Sequence, residues 1–392
     1  MTSATGAGAE GSTMFLAWRE LVFARARFGL MGGVVALVAI LVVILSGLSS
    51  GLVNDGVSGL KKLPVTAFAF DEGTPVDSAF SRSTVERDQA ARWAEEDGVA
   101  DAALFGNQLV NAEGPDGEAV DLALFGVDPD SFLAPAPDLV AQGEGLAQDD
   151  GIVVSETVTD LGLGVGDTVT VDRLGTELTI VGVLDGQHTY GHVDVAYVPL
   201  ATWQEIHAGA GPGDEVRPEA YDEATAVALA ESDGADLDLA AAGAGTGTAA
   251  VPLEDSFEGS PGYAAETLTL DLIQTFLYAI SALVVGAFFT VWTIQRRHEI
   301  AVARAMGARS GYLVRDALGQ AAVVLVGSTA VGVAVGVGFG ALLTSTPMPF
   351  SLEPVPVAAA AALLVVLGLL GAAAAVGRIA RVDPLTALGG QR

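Results

Sequence analysis

The 392-residue chain has no cysteine, two lysines and four histidines. The missing cysteine excludes disulfides and thiolate metal sites. A phosphate-cradling loop needs Gly-Lys-Ser/Thr leading into a helix. Here Lys61 and Lys62 are followed by Leu63, and the glycine-rich run "GLGVGD" (162–167) leads into a strand pattern. This chain therefore has no ATP site of its own. No nucleophile elbow between a strand and a helix, no H-E-x-x-H motif and no convergent Ser/His/Asp set points to catalysis. Charge is also missing from four long blocks. Residues 28–54 hold 27 uncharged positions, 272–295 hold 24, 317–352 hold 36 and 354–377 hold 24.

Those gaps are the main signal. A helix rises about 1.5 Å per residue, so about 20 apolar residues cross a hydrocarbon core of about 30 Å. Buried helices of a soluble protein run to about 8–20 residues between caps, and these blocks exceed that. The expected architecture is an α-helical membrane protein in a bilayer. It has four transmembrane helices in a 1+3 order and an α+β extracytoplasmic domain between the first and second. Without ionisable groups in the spans, an ion-coupled pathway has nothing to run on.

Basic residues set the orientation, because cytoplasmic flanks of spans carry excess Lys and Arg. Arg19, Arg25 and Arg27 precede the first span, five arginines lie in 296–315, and Arg378, Arg381 and Arg392 follow the fourth. Segment 53–269 instead holds seven basic and forty-one acidic residues. Both termini and the 296–315 island are thus expected in the cytoplasm, with 53–269 outside. The net charge of −30 belongs to that outer segment and offers no basic face to a nucleic acid. The uncharged block near the N-terminus is too long for a signal-peptide core, so an uncleaved membrane anchor is expected.

Boundaries follow from these patterns. Residues 1–13 read as disordered. Residues 14–28 read as an amphipathic helix in the inner interface, or as the start of a long first span. The spans are placed at 29–52, 270–295, 317–343 and 355–377. An outer loop occupies 344–354, and the cytoplasmic tail is 378–392. Within the outer segment, "VTAFAF", "AALFGNQLV", "AVDLALFGV" and "GIVVSE" read as strands. "STVERDQAARWAEEDG" reads as a helix stopped by Gly98 at C′. "TVTV", "ELTIVGVL" and "VDVAYVPL" read as an antiparallel meander, and "ATWQEIHAG" as a short helix. "ATAVALAE" reads as a strand, and "AAAGAGTGTAAV" as a loop or marginal helix.

Three places carry candidate sites. His188 and His192, with Asp185 and Asp194 nearby, are a metal-ligand set if they share a strand face, and otherwise a surface turn. Gly332, Gly336 and Gly340 recur every four residues in the third span, a spacing that lets helices approach closely, either within the chain or at a dimer seam. In the island "QRRHEIAVARAMGARSGYLVR" (295–315), Glu299 suits a first helical turn and Gly307 a C′ stop. A plain positive-inside loop has no need of Ile300, Val302 and Met306 on a helix outside the membrane. That pattern points to a docking surface for a cytoplasmic partner.

The stretch "RRHEIAVARAMGA" resembles the cytoplasmic motif of FtsX-like/MacB-type ABC transporter permeases. Arg296 or Arg297, Glu299, Ile300, Arg304, Ala305, Gly307 and Ala308 match, with Met306 where Leu or Ile is usual. "RIARVDPLTALGG" is similar to the family's closing motif at Arg381, Asp383, Pro384, Ala387 and Leu388. The resemblance implies a non-catalytic permease subunit in the cell membrane. Its expected partners are a second permease copy, as homodimer or related heterodimer, and a separate cytoplasmic ABC ATPase. No cofactor is expected in this chain, ATP and Mg²⁺ being held by that ATPase. It also implies a coupling helix within 296–316, where ATP-driven motion enters and reaches the outer domain by mechanotransmission. Export or extraction of an amphiphile is one outcome. The alternative is a transducer that activates an extracytoplasmic cell-wall hydrolase or sensor without transport.

Overall fold

The computed structural model describes residues 25–147, 151–235, 237–295, 302, 306, 310–346 and 348–380. The chain divides into two compact units, one of Met1–Gly51 with Leu268–Arg392 and one of Leu52–Thr267.

Among the described residues, four helices are long and apolar enough to cross a membrane. The first span lies in the helix Arg25–Lys61, the second in Tyr263–Gln295, the third in Ser310–Leu343 and the fourth in Pro354–Ala380. The first helix begins before the expected start at 29 and runs past the expected end at 52. Residues 25–28, read as part of an interfacial helix, continue directly into it. Near its end the charged Asp55 and Lys61 mark a change of solvent, not of backbone conformation. Val57 and Leu60 there are fully buried in the core of the outer unit. The second and third helices likewise start seven residues before their expected spans. In the membrane unit, Met31 and Val35, Val285 and Phe289, Ala321 and Leu325, and Ala372 bring all four helices into one apolar cluster.

The outer unit is α+β. Its strands are β1 (Ala67–Asp71), β2 (Val85–Glu86), β3 (Val99–Glu113), β4 (Ala119–Val127), β5 (Val140–Gly143), β6 (Gly151–Val154) and β7 (Thr168–Val171). They continue as β8 (Glu177–Leu184), β9 (Thr189–Tyr190), β10 (Val193–Pro199), β11 (Glu223–Ala224), β12 (Ala226–Glu231) and β13 (Thr248–Pro252). The main sheet runs β13-β1-β12-β3-β4-β10-β6-β8-β5, and β7 pairs with both β3 and β8. That double pairing closes a six-strand circuit through β3, β4, β10, β6, β8 and β7. The long β3 joins the two parts, pairing with β12 through its first half and with β4 through its second.

Successive residues of a strand face opposite sides, and here both sides are buried. On β4, Leu122 and Leu124 pack with Trp93, Ile152, Ile180 and Trp203, while Ala123 and Phe125 pack with Phe68, Phe105, Tyr190 and Val195. The second face is strongly aromatic, with Phe68–Phe80, Phe70–Phe80 and Phe105–Phe125 ring centroids 5.0–5.3 Å apart.

Two local expectations are corrected, and one open alternative is resolved. β7 and β8 pair antiparallel, but β10 does not continue their meander. It lies between β4, to which it is parallel, and β6, to which it is antiparallel. Residues 195–199 of β10 are wholly buried, so a strand on each side satisfies their backbone, and the eight-residue connection from β8 leaves room for the jump. The helix Arg87–Ala94 ends at Glu95, and Gly98 (φ 98°) instead turns the chain into β3. The alanine- and glycine-rich run forms a helix, Leu239–Thr246, capped by the Asp238 carboxylate on the Ala240 and Ala241 amides, followed by β13.

Candidate functional site

In the membrane unit, the three glycines of the third span face the same chain. A methyl at Gly332 would lie 2.4 Å from the Ala36 carbonyl oxygen and 2.6 Å from Ala39 Cβ, and one at Gly336 would lie 2.9 Å from Val43 Cβ. At Gly340 the neighbour is Phe350, whose ring also fills the space beside Gly47 in the first span. The expected outer loop is thus docked, with the Ser351 amide donating to the Gly47 carbonyl at 3.0 Å. The second and fourth spans meet through Gly286 and Gly371, where a methyl at Gly371 would lie 2.5 Å from the Ala282 oxygen. A groove of about 760 Å³ runs beside that contact, lined by Leu283 and otherwise by small residues. The G-x-S-x-G pattern at 47–51 lies inside the first helix, where no strand-to-helix elbow exists.

Most of the motif read as a coupling helix lies outside the described residues, including Arg297, Glu299, Ile300, Arg304, Ala305, Gly307 and Ala308. So does the tail motif at Arg381, Asp383, Pro384 and Leu388. Val302 and Met306 are described. The Met306 amide donates to the Val302 carbonyl at 3.0 Å, one helical turn, and the Met306 side chain is 79% exposed.

In the outer unit, the segment 187–192 grips the end of the first helix. Ser58 Oγ accepts from the Thr189 amide at 2.9 Å, and the Gly191 amide donates to the Gly56 carbonyl at 2.9 Å. Gln187 Nε2 donates to Asp55 Oδ1 at 2.9 Å, and Lys62 Nζ donates to the Gln187 carbonyl at 2.9 Å. Gly59 permits this approach, since a methyl there would lie 2.7 Å from Val195 Cγ2. The start of the second helix is tied to the same place, with Ser260 Oγ donating to Gly56 O and Tyr190 Oη to Gly259 O.

The two histidines do not share a strand face. His188 precedes β9 and is 2% exposed, with neither ring nitrogen in a hydrogen bond. Burial, and next the Lys62 ammonium, push its pKa down to about 4. His192 occupies the two-residue turn between β9 and β10 at φ 66°. Its Nδ1 is 2.8 Å from Asp55 Oδ2, and its Nε2 is 3.2 Å from Glu266 Oε2, close but off hydrogen-bond angle. Those carboxylates flank the ring on opposite edges, so they bridge and do not converge on a point. Among the described residues no group of three or more His, Cys, Asp or Glu side chains is arranged to hold a metal ion. Sequence spacing singled out His192 but not its partners, which lie 137 and 74 positions away.

Two family models match the chain, one on each side of residue 250. Residues 27–245 match the MacB-like periplasmic core domain, and 272–384 match the FtsX-like permease C-terminal region. Proteins of Staphylococcus haemolyticus and Staphylococcus epidermidis, each named "Putative hemin transport system permease protein HrtB", are 24% identical over 96% of this chain and 99% of their own length. Among solved structures, the extracellular domain of the noncanonic ABC-type transporter YknZ from Gram-positive bacteria is 15% identical. It covers 48% of this chain and 98% of its own, with a TM-score of 0.33. The periplasmic region of MacB from Actinobacillus actinomycetemcomitans is 12% identical over 49% and 91%, with a TM-score of 0.34. The assignment rests on the two family matches, which span both units in the order the topology requires: this chain belongs to the FtsX-like/MacB-type family of ABC transporter permeases.

Proposed function

We propose that the chain couples ATP hydrolysis by a separate cytoplasmic ATPase to movement of its outer domain, and that this movement exports or extracts an amphiphile. The supporting observation is coextensive similarity: the family matches cover both units, and relatives named for hemin transport align over 96% of the chain. A porphyrin-like amphiphile is accordingly the first substrate class to test. Both termini and the 296–316 segment lie in the cytoplasm in this reading, and a second permease copy completes the assembly. The first and second helices each contribute residues to both units, at 52–61 and 263–267, and provide the covalent route for motion.

In this reading the ATPase docks on the segment carrying Arg297, Glu299, Ile300, Arg304, Ala305, Met306, Gly307 and Ala308. The test is co-purification with the ATPase after Glu299→Lys or Arg304→Glu, in full-length protein. Loss of association and of stimulated hydrolysis is expected; wild-type association in both variants overturns the docking assignment. Hydrolysis by the reconstituted complex, measured against hemin, lipids, peptides and antibiotics, tests the substrate class. A complex that hydrolyses ATP but is stimulated by none of them favours the transducer alternative.

A further inference from the structure

The turn between β9 and β10 holds an unusual residue. Tyr190 and Val193 pair across it, leaving Gly191 (φ 59°) and His192 (φ 66°) as the two loop residues. Positive φ at both central positions is the signature of a type I′ hairpin turn, which favours Asn or Gly. A histidine side chain there is strained, and residues held in such conformations cluster where function requires them. The imidazole is also placed unlike an ordinary surface side chain. It stands between Asp55, on the helix leaving the first span, and Glu266, on the helix leading into the second. All three side chains keep partial contact with solvent, at 29%, 24% and 38% exposure, so protons reach them.

We propose that His192 is a proton-gated latch: its imidazolium holds the two connecting helices together through Asp55 and Glu266, and loss of one proton releases one of them. Both nitrogens face carboxylate oxygens, and imidazole can offer an N–H to both only when doubly protonated. The neutral ring with its proton on Nδ1 turns the Nε2 lone pair toward Glu266. The other tautomer does the same toward Asp55. Either way one contact becomes repulsive.

The surrounding groups leave His192 as the switch. From the first helix, Lys61 Nζ donates to Asn54 and Lys62 Nζ to the Gln187 carbonyl. From β10, Asp194 repels Asp55 and is bound by the Thr157 hydroxyl. From the second helix, Tyr263 approaches Gly56 beside the imidazole and carries no charge near neutrality. His188 is kept neutral by burial near neutral pH. Among the described side chains facing this junction, His192 is the one imidazole placed between both helices.

The latch itself does not depend on what the protein transports; its effect on coupling rests on the permease reading. The test uses full-length protein in lipid nanodiscs, with nitroxides on Lys61→Cys and Ala264→Cys, both exposed and the only cysteines in the chain. The distance distribution is expected to be narrow at about pH 5.5 and to broaden at about pH 8. His192→Gly, which suits the turn and so folds, and Glu266→Gln are expected to abolish that dependence. A wild-type distribution that does not change with pH overturns the proposal, as does the same change persisting in His192→Gly. ATPase association is scored separately in the same nanodiscs. Its absence would sink the permease reading while leaving the pH-dependent distance intact.

Discussion

Gly332 lies against Ala36 so closely that a methyl group on it would sit 2.4 Å from the Ala36 carbonyl oxygen. Backbone on one helix meets backbone on another, and no side-chain rotation relieves the overlap. Gly332→Ala is therefore expected to destabilise the membrane unit by about 1–3 kcal/mol, the usual range for overpacking. Gly338→Ala, in the same helix with nothing within 4 Å, is expected to be neutral or stabilising, as alanine is the better helix former. Thermal unfolding in detergent, followed by size-exclusion fluorescence, separates the two. Equal melting temperatures for both variants would contradict the packing.

The comparison shows which physics is written locally. Uncharged runs and arginine flanks specify spans without reference to the rest of the chain, so four helices and an α+β insert could be read directly. The four-residue glycine spacing announced close approach, but the partner helix is a tertiary fact; the first span at Ala36, Ala39 and Val43 answers it. Asp55 read as the end of a membrane helix because hydropathy reports solvent, while the backbone continued to Lys61 on the strength of Val57 and Leu60 packing. β10 reads as a strand in the sequence, but its place between β4 and β6 does not, because pairing between distant strands has no local signature. His192 was visible as a candidate ligand, and its role as a bridge was not, since Asp55 and Glu266 arrive from opposite ends of the outer segment.

Trp203 offers a second packing test, in the outer unit. Its indole lies across Gly106 and Gly126, which face each other on β3 and β4; a methyl on either would lie 2.3–2.4 Å from an indole carbon. The ring is 1% exposed and rigid. Gly126→Ala is expected to cost about 1–3 kcal/mol by overpacking, and Trp203→Ala about 3–5 kcal/mol by leaving a cavity. Denaturation of full-length protein followed by tryptophan fluorescence measures the first, and circular dichroism the second. A Trp203→Ala variant as stable as wild type would show that the indole is not a core anchor.

His188 predicts a pH dependence with a definite sign. Burial lowers its pKa from the ordinary 6.5 to about 4. The unfolded chain therefore binds the proton more readily between those values. Stability from this group is full above about pH 6.5 and falls as pH drops toward 4. The loss is on the order of 3 kcal/mol. Asp194, whose burial raises its pKa, acts in the opposite direction, so the contribution is isolated by comparison with a variant. His188→Leu removes two ring nitrogens that lack hydrogen bonds and is expected to match or exceed wild-type stability at neutral pH. Chemical denaturation at pH 7 and pH 4.5 should show a smaller acid loss in the variant; an identical loss would mean that His188 already binds its proton in the folded state.

Met306 tests the proposed site of coupling with the least disturbance to the fold. It is 79% exposed, one turn after Val302, itself 44% exposed. An apolar side chain in that position loses little when the chain is free and much when a partner covers it, because burial of methionine contributes roughly 1.5–3 kcal/mol. Met306→Asp should therefore leave the melting temperature of the isolated permease within about 1 °C of wild type, as surface substitutions usually do. It should weaken ATPase association by about tenfold or more, the factor that about 1.4 kcal/mol of lost burial produces. A drop in melting temperature with association unchanged would place Met306 in internal packing. An unchanged variant in both measurements would remove Met306 from the docking surface.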